Sequence, residues 1–177
     1  MSGSWATGCF DLKQCRCPHC GKAGTLNRHS RLQGNALDDP AGQSLRGQRA
    51  YCSRRGRRGG CGRTVSLFLS GVLPRHTLNA PLFWRVLRGV LGGASLQSVA
   101  QGLPKLPMAL ESLRGACRRL RRRLDAVRTV LCGAQAPPPS TRREPLHQTL
   151  EHLQAVFPHS TTVLEDYQCR FAQPFMG

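Results

Sequence analysis

Along this chain the apolar positions change period part-way, from strand-like alternation to a helical repeat. Strand-like runs occupy Leu26 to Leu32, Gly47 to Cys52 and Arg63 to Ser70, and Thr64-Val65-Ser66-Leu67-Phe68-Leu69 is the most regular of them. Between the first two, Gln33 to Gly47, which holds Asn35, Asp38, Asp39, Pro40 and Gly42, reads as a loop. After Gly71-Val72-Leu73-Pro74 the spacing switches. Leu82, Phe83, Val86, Leu87, Val90 and Leu91 recur on one helix face, and Gly92-Gly93 supplies the stop. Ser95 is placed to cap a short helix through Gln101 that buries Leu96, Val99 and Ala100, and the Gly102-to-Pro107 stretch breaks it.

A third helix is expected from near Pro107, a favourable first-turn residue, to about Leu131. Its apolar seam is Leu110, Leu113, Cys117, Leu120, Leu124, Val127 and Leu131, at alternating intervals of 3 and 4. Two short helices with tight turns followed by a third is helix-turn-helix organisation. Three successive prolines in Gly133 to Thr141 then predict an extended linker. Leu146, Leu150, Leu153 and Val156 or Phe157 mark one more amphipathic helix, and Tyr167, Phe171 and Phe175 follow at intervals of four. This C-terminal segment is either a docking element for a partner or a piece that folds back onto the body.

The fold class that emerges is α+β: a small β module, then a helix-turn-helix region with a long basic third helix. Its predicted parts are an N-terminal extension (1–14, with Trp5 and Phe10 packing onto the sheet), the β module (15–72), the helical region (73–132), the linker (133–144) and a C-terminal helix and tail (145–177).

Charge changes the picture more than size does. The 177 residues carry a net charge of +17, and of 26 basic residues only Lys13, Lys22 and Lys105 are not arginine. Residues 1–72 and 73–133 each carry +9, whereas 134–177 carry −1. Like charges repel in a compact chain, so an excess of this size calls for a polyanion, and arginine suits bidentate phosphate and guanine contacts. The expected contacts are Arg49, Arg54, Arg55, Arg57, Arg58 and Arg63 around the β module, and Arg114, Arg118, Arg119, Arg121 and Arg122 on the third helix. That helix has two readings. In one, its start around Met108, Glu111, Ser112, Gly115 and Arg118 enters a major groove while the arginine cluster grips phosphates. In the other, the seam serves core packing or a homodimer and the arginines are solvated.

Cysteine spacing supplies the remaining chemistry. Cys17-Pro18-His19-Cys20-Gly21 pairs two thiols across a turn, and Cys52 and Cys61 follow much later, so four thiolates can converge on one tetrahedral Zn2+ in a structural zinc ribbon. Eight residues separate Cys52 from Cys61, more than in a compact knuckle, with Gly56, Gly59 and Gly60 able to let the arginines bulge outward. Cys15, His19 and His29 are rival ligands. Nine cysteines in this pattern fit a metal site in a reducing compartment better than a disulfide scaffold. No apolar run reaches the length of a signal peptide or membrane span, so a soluble, cytoplasmic chain is expected.

The motifs Cys17-Pro18-His19-Cys20-Gly21, Gln48-Arg49-Ala50-Tyr51-Cys52, Cys61-Gly62-Arg63-Thr64-Val65 and Leu73-Pro74-Arg75 ahead of the helices resemble the N-terminal zinc-ribbon region of bacterial insertion-sequence transposases. The resemblance covers residues 15 to 125 and implies zinc at Cys17, Cys20, Cys52 and Cys61, with DNA binding by the helices. Those enzymes continue into an RNase-H-like domain with an acidic triad, for which the 44 residues holding Glu144, Glu151, Glu165 and Asp166 leave no room. The expectation is therefore a non-enzymatic, sequence-specific double-stranded DNA-binding protein, associated with the bacterial nucleoid and accessory or regulatory to a mobile element. Its C-terminal tail would meet a transposase or other enzyme. The alternatives are an RNA-binding zinc-ribbon protein and an adaptor bridging an enzyme to nucleic acid.

Overall fold

The computed structural model describes residues 11–35, 42–55, 59–103 and 108–176. Expectations resting on Trp5, Phe10, Asp38, Asp39, Pro40, Gly56, Arg57, Arg58, Lys105 and Pro107 lie outside the described residues. The chain is α+β and divides after Leu69 into two compact units, the first holding a three-stranded antiparallel sheet and the second, among the described residues, five helices.

The first unit is a meander of β1 (Leu26–Asn35), β2 (Gln43–Cys52) and β3 (Thr64–Phe68), in that spatial order. Side chains opposite each other in an antiparallel pair share a face. Ala50 therefore joins Val65, and Gln48 joins Leu67, on the inner face, while Tyr51 joins Thr64 and Arg49 joins Ser66 on the outer one. On the other side of β2, Leu26 lies opposite Cys52 and Asn27 opposite Tyr51; a bulge at His29 then brings Ser30 opposite Arg49. The inner face is small. Its fully buried apolar residues are Leu12, Cys17, Leu26, Ala50 and Cys52, with Cys15, Cys20, Cys61, Val65 and Leu67 around them.

The second unit begins with α1 (Ala80–Leu91), whose first turn holds Pro81 and is capped by Asn79 Oδ1 accepting from the Leu82 N–H at 2.7 Å. Gly93, at φ 90°, turns the chain, and Ser95 Oγ accepts from the Ser98 N–H to start α2 (Leu96–Gln101). Gly89 is where α1 and α2 meet most closely: a Cβ there would run into the Val99 side chain. Next comes α3 (Leu110–Ala134), which starts a few residues later than the sequence pattern suggests because Ala109, extended and without a side-chain cap, precedes it. Its predicted seam is buried from Leu113 through Cys117, Leu120, Leu124 and Val127 to Leu131, with Ala116 added, and half-buried Leu110 lies at its start. The seam packs on side chains of this same unit, so core packing accounts for it.

The segment after α3 is tied down at several points. His152 donates from Nε2 to the Gln135 carbonyl at 2.9 Å, Ser140 donates to Glu151, and Gln148 donates to the Arg142 carbonyl at 2.7 Å. The proline-rich stretch thus lies along α4 (Pro145–Val156) with its polar groups satisfied. The tail contains a helix that the sequence pattern left unassigned, α5 (Val163–Phe171). There Tyr167 stacks edge-on against Phe175, with centroids 5.2 Å apart. Gln168 donates its amide to the Ser70 and Val72 carbonyls and accepts from the Phe175 N–H, joining both ends of the unit. Leu146, Leu150, Leu153, Val156, Val163, Leu164, Tyr167 and Phe175 all enter one core with α1 and α3, so the C-terminal segment has folded back onto the body. Among the described residues no helix is long and apolar enough to cross a membrane.

Leu150 tests that architecture. Fully buried, it leaves a cavity when truncated, so Leu150→Ala is expected to lower the stability of the helical unit by about 2 to 5 kcal/mol in urea unfolding. A free tail would give a difference near zero.

Candidate metal centre

Two turns of similar build face each other in the first unit. In one, residues 16 to 23 form a small hairpin closed by a bridge between Arg16 and Ala23, with the Cys17 N–H donating to the Lys22 carbonyl at 2.9 Å. Gly21 then folds back, donating to the Cys17 carbonyl at 2.8 Å with φ 70°, a conformation cheap only for glycine. In the other turn the Cys52 N–H donates to the Arg63 carbonyl and the Gly62 N–H to the Cys52 carbonyl, both at 2.9 Å, with Gly62 at φ 75°. Each turn presents two sulfurs to the same point.

The eight-residue spacing between Cys52 and Cys61 is accommodated by a pinch. Ser53 donates its N–H to the Thr25 carbonyl at 2.9 Å and accepts at its own carbonyl from the Gly60 N–H at 2.6 Å, so the chain leaves after Ser53 and returns at Gly60. No side chain fits at Gly60: a Cβ would run into Cys52 Sγ and the Ser53 carbonyl. Arg54 bends back to donate from Nε and Nη2 to the Cys61 carbonyl, both at 3.3 Å, and Lys22 Nζ reaches across from the first turn to the Gly59 carbonyl at 2.6 Å. The sequence pointed to Gly60 as a glycine of the enlarged turn but to neither Thr25 nor Lys22, whose roles come from partners distant in the chain.

The Sγ atoms of Cys17, Cys20, Cys52 and Cys61 all lie within 4.8 Å of one another. The Cys17–Cys61 and Cys20–Cys52 pairs are each 3.8 Å apart, which matches the edge of about 3.8 Å of a tetrahedron built on metal–sulfur bonds of ~2.3 Å. The donor set therefore fits a tetrahedral ion. The rival ligands stand aside: Cys15 Sγ faces the Asp11 carbonyl at 3.6 Å, His29 is exposed at the bulge beside Ser30, and His19 is exposed between the two turn cysteines.

Electrostatics separate the four thiols. Burial pushes Cys17 up to about 11. Cys52 is brought down to about 6, first by the Thr25 hydroxyl 3.2 Å from its sulfur and then by the Cys61 N–H, which donates to it at 3.3 Å. Hydrogen bonds of this kind orient a thiolate ligand and spread its charge. A cation at the centre would hold all four as thiolates. Four protein ligands then complete its shell and leave no position for water.

The predicted basic contacts fall into two separate sets. In the first unit Arg49 stands on the outer sheet face, Arg55 and Arg63 are exposed, and Arg54 is engaged with Cys61. In the second, Arg114, Arg118, Arg119, Arg121 and Arg122 are all exposed on α3.

Cobalt(II), which reports tetrahedral thiolate ligation by its visible absorption, gives the test. The parent protein and Cys15→Ser are expected to bind about one ion each with the same spectrum. Cys61→Ser should lose that spectrum, and Gly60→Ala should weaken binding about tenfold or more, within the range for damage just outside the ligand shell. Acidification should release the ion, because protons return to the thiolates. No protein-family model, curated protein or solved structure matches the chain.

Proposed function

We propose that the first unit is a structural zinc ribbon and that the second is a helix-turn-helix reader of double-stranded DNA. The zinc assignment rests on ligand chemistry: four thiolates in tetrahedral array favour zinc, which accepts that geometry without electronic preference. In a unit with so small a core the ion would contribute on the order of 10 kcal/mol to folding.

The observation that carries the DNA reading is the composition of the solvent side of α3. Glu111, Arg114, Arg118, Arg121, Arg122 and exposed Asp125 succeed one another at helical spacing outside the buried seam, with the basic side chains in excess. Glu111 accepts from Arg114 at 3.1 Å and from Arg118 at 3.4 Å, and Glu144 accepts from Arg121 at 3.1 Å. Arg122 forms no ion pair among the described residues. Exposed pairs of this kind are worth about 0 to 1 kcal/mol, so phosphates can replace the carboxylates at little cost. They also hold the guanidinium groups in a row before DNA arrives. The tight turn between α1 and α2, with α3 after them, is the order of elements in a helix-turn-helix.

The reading assigns no chemistry to the chain, since a metal ringed by four sulfurs has no open position. An accessory or regulatory role in a mobile element follows from the motif resemblance and is part of the proposal on that ground alone.

Gel-shift titration over a salt series is the deciding experiment. Replacing Arg114, Arg118, Arg121 and Arg122 together by Gln should flatten the dependence of log affinity on log salt by up to about 0.9 per arginine. Arg118→Ala alone should cost about 1 to 3 kcal/mol if it reads a base. An unchanged slope in the fourfold variant would exclude α3 from the interface.

A further inference from the structure

The outer face of the sheet holds an arrangement that linear sequence conceals. Reading across the register, its rows are Asn27-Tyr51-Thr64, Ser30-Arg49-Ser66 and Leu32-Gly47-Phe68. Arg49 and Tyr51 lie two apart in the chain and so share a face of β2, and the sheet brings Phe68 of β3 to that same surface. Asn27, Ser30, Thr64 and Ser66 around them are short, so Arg49 is the long side chain between the two rings. Phe68 is 38% exposed, so its ring is open to solvent. Beside it, Gly47 admits no side chain, because a Cβ would run into the Leu67 carbonyl and the Phe68 backbone.

Basic side chains stand on and beside the face, with exposed Asp11 next to Lys13 at its edge. Arg49 and Arg63 are exposed, and Lys13 reaches Asn27 Oδ1 at 2.5 Å on the edge of the face. Four residues along β3, from Thr64 opposite Tyr51 to Phe68, span roughly 13 Å, or about four nucleotides of a strand stacked at ~3.4 Å. Two rings held apart by that distance with a cation between them, on a flat polar surface, form a stacking platform for bases with a phosphate contact in the middle. A duplex cannot use it, since its bases are already stacked on each other.

We propose that this face is a second nucleic-acid site, specific for single strands, in which Tyr51 and Phe68 stack on bases and Arg49 holds the intervening phosphate. It is independent of α3. A single-strand site would act where a duplex is opened or frayed, or on a transcript.

The test is fluorescence anisotropy on the full chain with two labelled probes of about ten nucleotides, oligothymidylate and oligouridylate, which distinguish DNA from RNA as the source of the strand. Phe68→Ala and Tyr51→Ala should each weaken binding of the better probe about tenfold, in the range for loss of one stacked base. Tyr51→Phe keeps the ring and should bind like the parent, and Arg49→Gln should weaken binding while flattening its salt dependence. Phe68 is exposed, so its truncation tests the face without disturbing the core, and retained metal content verifies that each variant is folded. Parental affinity of Phe68→Ala for both probes would overturn the proposal. So would a loss in Tyr51→Phe as large as that in Tyr51→Ala.

Discussion

The first unit depends on four sulfurs being held within 4.8 Å of one another. As thiols they attract only weakly, and as thiolates they repel, so the cluster is costly unless a cation sits among them. Among the described residues of this unit, the buried apolar ones beside the cysteines themselves are Leu12, Leu26 and Ala50. Both glycine turns, the pinch at Ser53 and Gly60, and the ties made by Lys22 and Arg54 serve to bring the sulfur pairs together. Even the register of β1 on β2 follows from this requirement, with Leu26 opposite Cys52 at the metal end.

The helical unit rests on a different principle. Its seam on α3, the faces of α1, α4 and α5, and the Phe175-Met176 end share one apolar core that no ion is needed to complete. Burying that face commits the arginines of α3 to solvent, where Glu111 and Glu144 hold three of them in a row. The same sequence period therefore both stabilises the helix and arrays its charge. In the first unit the cysteine cluster and the outer sheet face stand in a similar relation: the inner face packs against the sulfurs, which leaves Tyr51, Arg49 and Phe68 outward.

Much of this was legible in the residues. Alternation gave the middle of each strand, although β1 runs on to Asn35 and β2 starts at Gln43, inside the expected loop; the 3–4 interval gave α1, the short α2, whose Leu96, Val99 and Ala100 are only partly buried, and the seam of α3. Spacing marked Cys17 and Cys20, since a Cys-x-x-Cys turn constrains its sulfurs, while the choice of Cys52 and Cys61 over Cys15, His19 and His29 needed the fold. Other features were out of reach. α5 was missed because Tyr167 and Phe171 lie among polar residues in a segment of only nine, and Ala172 ends it in a left-handed conformation that the sequence does not announce. The linker's attachment to α4 depends on Ser140, Gln148 and His152 finding partners on another element. The row of Tyr51, Arg49 and Phe68 exists only once β3 is laid against β2.

X-ray absorption at the zinc edge of the purified full-length protein addresses the central claim most directly. The account requires one shell of four sulfurs at about 2.3 Å, with no nitrogen or oxygen neighbour. Protein that carries no zinc and takes none up, or a shell containing light atoms in place of sulfur, would contradict it.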